Sequence, residues 1–129
     1  MEIKVRKPDL ERLSSDGVPK DFADVRDYFN QSLKENSLPW IPRKTPITNE
    51  EIMKKWIPSL EKNISLVAEL EGNIVGSLTV FYDINSTSYE HANKRDSGEF
   101  NSTTNPRQDC VLIMKHLIKE TVAELKKQN

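Results

Sequence analysis

Leu66-Val67-Ala68-Glu69-Leu70-Glu71-Gly72-Asn73-Ile74-Val75-Gly76-Ser77-Leu78 is the stretch on which the fold turns. Two apolar, β-branched runs flank a short polar break that carries one glycine, which is the pattern of a tight antiparallel hairpin. Strands are expected over residues 65–70 and 74–82, paired around Gly72-Asn73. Gly72 supplies the turn, because glycine takes a positive φ without a clash. Gly76 lies inside the second strand, where a glycine lets the strand bulge or come close to a neighbour.

Upstream of the hairpin, Ile3 and Val5 alternate with charges and predict a short strand that ends at Pro8. Asp16-Gly17-Val18-Pro19 is a turn cluster. Phe22, Val25, Phe29 and Leu33 recur at three and four, so residues 21–35 are expected as a helix with one apolar stripe. Pro39, Pro42 and Pro46 make residues 37–46 a loop. Trp40 within it either covers a substrate cleft or pins the loop to the core. Thr48-Asn49-Glu50-Glu51 is a capping box, with Thr48 reaching the Glu51 amide and Glu51 reaching back. Ile52, Trp56 and Leu60 form the next helical stripe, which Pro58 should kink or end.

Downstream, residues 83–98 are a long polar loop and residues 99–104 a third strand of the sheet with few apolar side chains. Asp109 can cap a last helix whose Cys110, Met114, Leu117, Ile118, Val122 and Leu125 face one way, with Lys126 and Lys127 at its negative end. The order strand, helix, helix, hairpin, strand, helix implies an α+β fold. We expect a mainly antiparallel sheet with helices packed on it, in a single domain over residues 1–129.

Of the 129 residues, 36% are apolar and 30% charged, which excludes a compositionally disordered chain. Lys and Arg total 19 against 20 acids, so no basic field draws nucleic acid. No apolar run approaches the roughly 20 residues of a membrane span, and the opening Met1-Glu2-Ile3-Lys4 does not begin a signal peptide. The single cysteine, Cys110, has no disulfide partner and no CxxC spacing for zinc. The expectation is a soluble cytoplasmic protein without metal, nucleic-acid or membrane partners.

The hairpin run is similar to the central hairpin of the GNAT superfamily, the acyl-CoA N-acyltransferases, which typically reads Val-Ala-Glu-x-x-Gly-x-Ile-Val-Gly. Ser97-Gly98-Glu99-Phe100-Asn101-Ser102-Thr103-Thr104-Asn105-Pro106 resembles that family's fourth strand and the His/Asn-Pro that follows it. Met114-Lys115-His116-Leu117-Ile118-Lys119-Glu120 resembles the helix after its cofactor loop. The agreement in order runs from Ile3 to about Ala123. The resemblance implies transfer of an acetyl or other acyl group from acetyl-CoA, as co-substrate, to a small-molecule amine acceptor. It implies that Asn101, Ser102, Thr103 and Thr104 offer main-chain groups to the pantetheine arm. It also implies that Arg107, Gln108, Asp109, Cys110 and Val111 surround the pyrophosphate at a helix N-terminus.

The chain departs from the family at two places. The family loop carries glycines that let phosphate reach the backbone amides. Here residues 107–113 contain no glycine in either register, and Asp109 sets an anion where phosphate would bind. Weak acetyl-CoA binding is therefore expected. The family pattern also continues into a fifth strand and further elements, whereas the sequence given stops at Asn129. Residues 99–104 are then expected as a strand with a bare outer edge, which invites a symmetric partner and a homodimer.

For the chemistry, the resemblance puts Glu99 where a carboxylate working through water would deprotonate the amine. The other reading of Glu99 is a solvated acid at a strand start. Cys110 opens a helix, as a nucleophile with lowered pKa or as a small packed hydrophobe. His91 and His116 have no partner spaced for a metal, and either could be a solvated histidine. The rival to an enzyme is a catalytically inactive GNAT-like remnant that serves as a binding or interaction module.

Overall fold

Strands β2 (Asn63–Leu70) and β3 (Asn73–Phe81) pair antiparallel as the expected hairpin. The computed structural model describes residues 2–35, 45–81, 99–105 and 108–127; of Lys62, Phe81 and residues 99–102 it describes the backbone alone. Trp40, Tyr82, His91, Pro106, Arg107 and the loop expected over residues 83–98 therefore lie outside the described residues.

The turn differs by one residue from the expectation. Leu70 pairs with Asn73, so the two turn residues are Glu71 and Gly72, with φ of 53° and 86°. Two consecutive positive φ values are the signature of the type I′ turn, whose twist matches that of the flanking strands. The bulge falls beside Gly76: Ala68 opposes Gly76 while Glu69 opposes Ile74, which leaves Val75 as the extra residue.

Strand β1 (Lys4–Arg6) adds to β2, and β4 (Glu99–Thr104) adds to β3, giving a four-stranded antiparallel sheet in the order β1-β2-β3-β4. Helices cover both faces, which explains why residues 64–70 read as an almost unbroken apolar run rather than an alternating one. On one face Val67 and Ile74 meet Phe22, Val25, Phe29 and Ile52. On the other, Ile64, Leu66, Ala68, Val75 and Leu78 meet Ile113 and Leu117.

Helix α1 (Lys20–Lys34) buries Phe22, Val25 and Phe29 as expected, and with them Tyr28, Ser32 and Asp21. Asp21 is held by a fork from Arg6 of β1, whose two guanidinium nitrogens lie 2.5 and 3.0 Å from its carboxylate oxygens. The backbone N–H of Asp9 donates to the same carboxylate at 2.7 Å, and Arg6 also donates to Glu69 of β2 at 2.8 Å. This network fastens the edge strand to the helix.

The composite helix α2 (49–62) starts as the capping signal requires, with Thr48 Oγ1 accepting from the Glu51 amide at 3.1 Å. The Glu51 carboxylate also takes a hydrogen bond from Trp56 Nε1 at 3.2 Å. Pro58 does not end the helix. A π turn spans Ile52–Trp56, a short α segment continues through Ile57–Ser59, and Leu60–Lys62 tightens to a 3-10 turn. Proline lacks an N–H and its ring crowds the carbonyl four residues earlier, so the wider turn just before it relieves both conflicts. Trp56 then stands edge-on to Phe22 at 5.6 Å and 83°, which locks α2 to α1.

Helix α3 (Cys110–Lys127) lies across β2 and β3. Its buried line is Ile113, Leu117 and Thr121; of the expected stripe Leu117 is in the core, Met114 and Leu125 pack against it and Cys110 is half-buried. Ile118 and Val122 are exposed at 50% and 44%, and Val111 at 67%.

Candidate functional site

The end of β4, the turn after it and the start of α3 converge on the bulge in β3. Asn105 donates its N–H to the Val75 carbonyl at 2.8 Å, and its own carbonyl accepts from the Gln108 N–H at 3.0 Å. The bulge thus supplies the acceptor that stops β4 and turns the chain into the helix. Cys110 aims its thiol at the Asn105 and Gln108 carbonyls, each at 3.5 Å, which is the contact of a half-buried packing residue.

The bond from Asn105 to Val75 also fixes which way the main chain of β4 faces. In an antiparallel ladder, alternate residues direct both N–H and C=O to the same neighbour. Asn105 faces β3, so Thr103 and Asn101 face β3 as well, and Ser102 and Thr104 present their main-chain groups outward. No strand borders that side among the described residues. Of the four expected contact residues on β4, two therefore carry free edge groups and two are engaged in the ladder.

Thr103 has a second engagement through its side chain. Its Oγ1 lies 2.5 Å from the Tyr28 hydroxyl of α1 and 2.9 Å from Ser77 Oγ of β3. Burial pushes the Tyr28 phenol far above its ordinary pKa, against the opposing pull of the bonds to Thr103 and Ser77, so it remains protonated. A second hydroxyl pair, Ser65 with Thr79 at 2.9 Å, lies on the same sheet face. Residue spacing did not single out Tyr28 or Ser77. The available signal was a tyrosine within an apolar helical stripe, whose phenol must find a buried partner.

At the start of α3 the first turn is already capped. Asp109 Oδ1 accepts from the Leu112 N–H at 3.0 Å, and the Asp109 carbonyl accepts from Ile113 at 3.0 Å. Asp109 is thus the N-cap, as expected, and its carboxylate stands where the helix dipole would favour a bound anion. The amides of Cys110 and Val111 lie between Asp109 and the Leu112 amide that it caps. Gln108, Asp109 and Val111 are exposed beside them.

Glu99 opens β4 at the register position opposite Phe81. It lies five residues before Thr104, roughly 17 Å along an extended strand. Glu99 therefore lies at the end of β4 away from the Asp109 cap. His116 is half-buried on α3. Among the described residues, no group of three His, Cys, Asp or Glu side chains is placed to hold a metal ion, and no helix is long and apolar enough to cross a membrane.

No protein-family model matches the sequence, and no curated protein matches it. Among solved structures, an N-acetyltransferase from Staphylococcus aureus Mu50 matches over 100% of this chain and 69% of that chain. The TM-score is 0.70 at 14% sequence identity. The likeness is one of fold: the α+β arrangement of a four-stranded antiparallel sheet between helices is N-acetyltransferase-like.

Proposed function

We propose that the chain is a GNAT-type N-acyltransferase, transferring an acetyl or other acyl group from acetyl-CoA to a small-molecule amine acceptor. The observation that carries this reading is the outer edge of β4, unpaired among the described residues, where Ser102 and Thr104 face outward shortly before the N-terminus of α3 within an N-acetyltransferase-like fold. The edge offers main-chain donors and acceptors with which an amide-bearing arm could pair, so the strand suits the co-substrate. The helix end fits less well, because Asp109 already occupies the amide of Leu112.

Bound acetyl-CoA would supply a thioester, whose acyl carbon gains the amine nitrogen as the C–S bond breaks and the thiolate leaves. The main chain of Ser102 and Thr104 would hold the arm in line. The amides of Cys110 and Val111, with Gln108 and Arg107, would face the phosphates once the Asp109 carboxylate moved aside. Glu99 would accept the amine proton through a water, which leaves the nitrogen lone pair free to attack. Asn101 and Thr103, turned toward β3, would support the edge rather than touch the arm. The protein would work in the cytoplasm as a homodimer; a seam along β4 would take the same Ser102 and Thr104 groups as the arm, so partner and co-substrate would compete for that edge.

A second reading is favoured by Asp109 itself. A helix end that supplies its own anion has no need of a ligand's, which suits a catalytically inactive remnant acting as a binding module. Calorimetric titration with acetyl-CoA tests the choice. Saturable heat supports the acyltransferase, and none at millimolar ligand leaves the binding module.

A further inference from the structure

We propose that Tyr28 is a positioning residue for the co-substrate arm, acting through the Thr103 hydroxyl to set the line of the β4 edge; this rests on the acyl-CoA reading above. The geometry is a three-way node. Tyr28 comes from α1, Ser77 from β3 and Thr103 from β4, and the central Thr103 Oγ1 lies 2.5 Å and 2.9 Å from the other two oxygens.

Thr103 alternates with Ser102 and Thr104, whose main-chain groups point outward. A bond that fixes the Thr103 side chain therefore fixes the pleat on either side of it. The next clamp along the chain is the Asn105 N–H on the Val75 carbonyl. Thr104 is held between these two clamps, with its own N–H and C=O left for a ligand. The burial that raises the phenol's pKa also keeps its proton in place, so the bond persists across the working pH range.

A ring without the hydroxyl would fill the same space, and Tyr28→Phe removes the bond alone. A hydrogen bond of ordinary strength corresponds to about a fivefold change in an equilibrium constant. Tyr28→Phe is expected to weaken acetyl-CoA about fivefold in a calorimetric titration, and to weaken pantetheine by the same factor. It should leave adenosine 3′,5′-bisphosphate, which carries phosphates but no arm, unchanged. Thr103→Val should match Tyr28→Phe, the double variant should be no worse than either, and Thr103→Ser should bind like the parent. Ser65→Ala, which breaks the other hydroxyl pair of that face, should lower Tm without altering any of these affinities.

A Tyr28→Phe protein that binds acetyl-CoA like the parent overturns the proposal and leaves the acyl-CoA reading standing. Equal weakening of acetyl-CoA and the bisphosphate also overturns it, since that marks a general loosening. If the parent binds none of the three probes, the acyl-CoA reading falls and this role falls with it. Should Tyr28→Phe fail to fold, the contrast between Thr103→Val and Thr103→Ser decides the question by the same criteria.

Discussion

Ile113 closes on Gly76 so tightly that a Cβ at Gly76 would stand 2.6 Å from the Ile113 Cγ2 methyl. The contact sets how closely α3 approaches the sheet, and with it where the start of α3 stands against the end of β4. Leu117 Cδ1 at 3.2 Å and the Thr103 carbonyl at 3.3 Å close the remaining sides. Ile113 is 1% exposed and its Cγ2 is a branch methyl next to the backbone, so it has nowhere to go.

Gly76→Ala is accordingly expected to destabilise the protein by about 1–3 kcal/mol, the usual effect of overpacking. The double variant with Ile113→Ala should lose less than the two single losses together, because the clash is then gone. Denaturant unfolding of the four proteins checks this. Strict additivity would show that the two residues do not share the contact.

Gly76 also shows how far the sequence could be read. A glycine inside an otherwise β-branched strand announces a bulge or a close approach, and both occur at that point. The bounds of β4 and the Asp109 cap were legible for the same reason: each has a local cause within a few residues. The turn falls one residue earlier than expected because Glu71 takes φ 53°, a conformation that glycine, asparagine and aspartate adopt far more readily than glutamate. On α3 the expected Leu117, Met114 and Leu125 do meet the sheet, but periodicity reports an apolar stripe, not which flank of it the sheet covers. Ile118 and Val122 fit the period and yet face outward. Tyr28, Thr103 and Ser77 lie 75 and 26 residues apart, and only the folded topology brings them together.

Acid should unfold this protein partly through Asp21. Burial by itself would raise the Asp21 pKa, but the hydrogen bonds from Arg6 and from the Asp9 amide, with the Arg6 and Lys20 charges, bring it below the ordinary value of 3.8. A carboxylate with a depressed folded pKa contributes stability above its unfolded pKa and loses it as pH falls through the folded one. Stability from this group should therefore be level between pH 7 and about 5 and decline below about 4. Asp21→Asn should flatten that acid limb in urea titrations at fixed pH values. Arg6→Gln should destabilise by about 2 kcal/mol at pH 7, since it leaves the buried carboxylate without its cation. An acid limb unchanged in Asp21→Asn would assign the decline to other groups.

Asp109 has two opposed effects that two substitutions can separate. Asp109→Asn keeps a capping oxygen and removes the charge, so Tm should hold while acetyl-CoA binds more tightly. Asp109→Gly removes both, so stability should fall by a few tenths of a kcal/mol while affinity rises further, as the Leu112 amide becomes free. Unchanged affinity in both proteins would mean that phosphate does not sit at the start of α3.

If the chain catalyses acyl transfer, Glu99→Gln should lower the rate at neutral pH by 10²- to 10⁴-fold, the usual contribution of a general base. Acetyl-CoA affinity should stay near that of the parent, because Glu99 lies at the far end of β4 from the α3 N-terminus. The rate loss should shrink as pH rises and more of the acceptor amine is already unprotonated. A Gln variant as active as the parent would remove Glu99 from the mechanism.

The outer edge of β4 leads to the last expectation, a homodimer. Among the described residues no strand pairs with Ser102 and Thr104 on that side, and an open row of main-chain groups is a template for another strand, which would compete with the co-substrate arm for it. A two-fold axis normal to the sheet would set β4 against its own copy, antiparallel, with both α3 helices on one face of a continuous sheet. Val111, Ile118 and Val122 are exposed on those helices, and an additional partner surface would reduce their contact with water. Light scattering at micromolar concentration should give twice the 14.9 kDa mass of the chain. Ser102→Pro is the selective disruption. Its missing N–H is an outward one, so the ladder to β3 survives while the dimer contact loses a donor and meets the proline ring. A folded Ser102→Pro monomer beside a dimeric parent would place the contact on β4. A parent that scatters as a monomer at every concentration would remove the dimer and leave the β4 edge available to ligand alone.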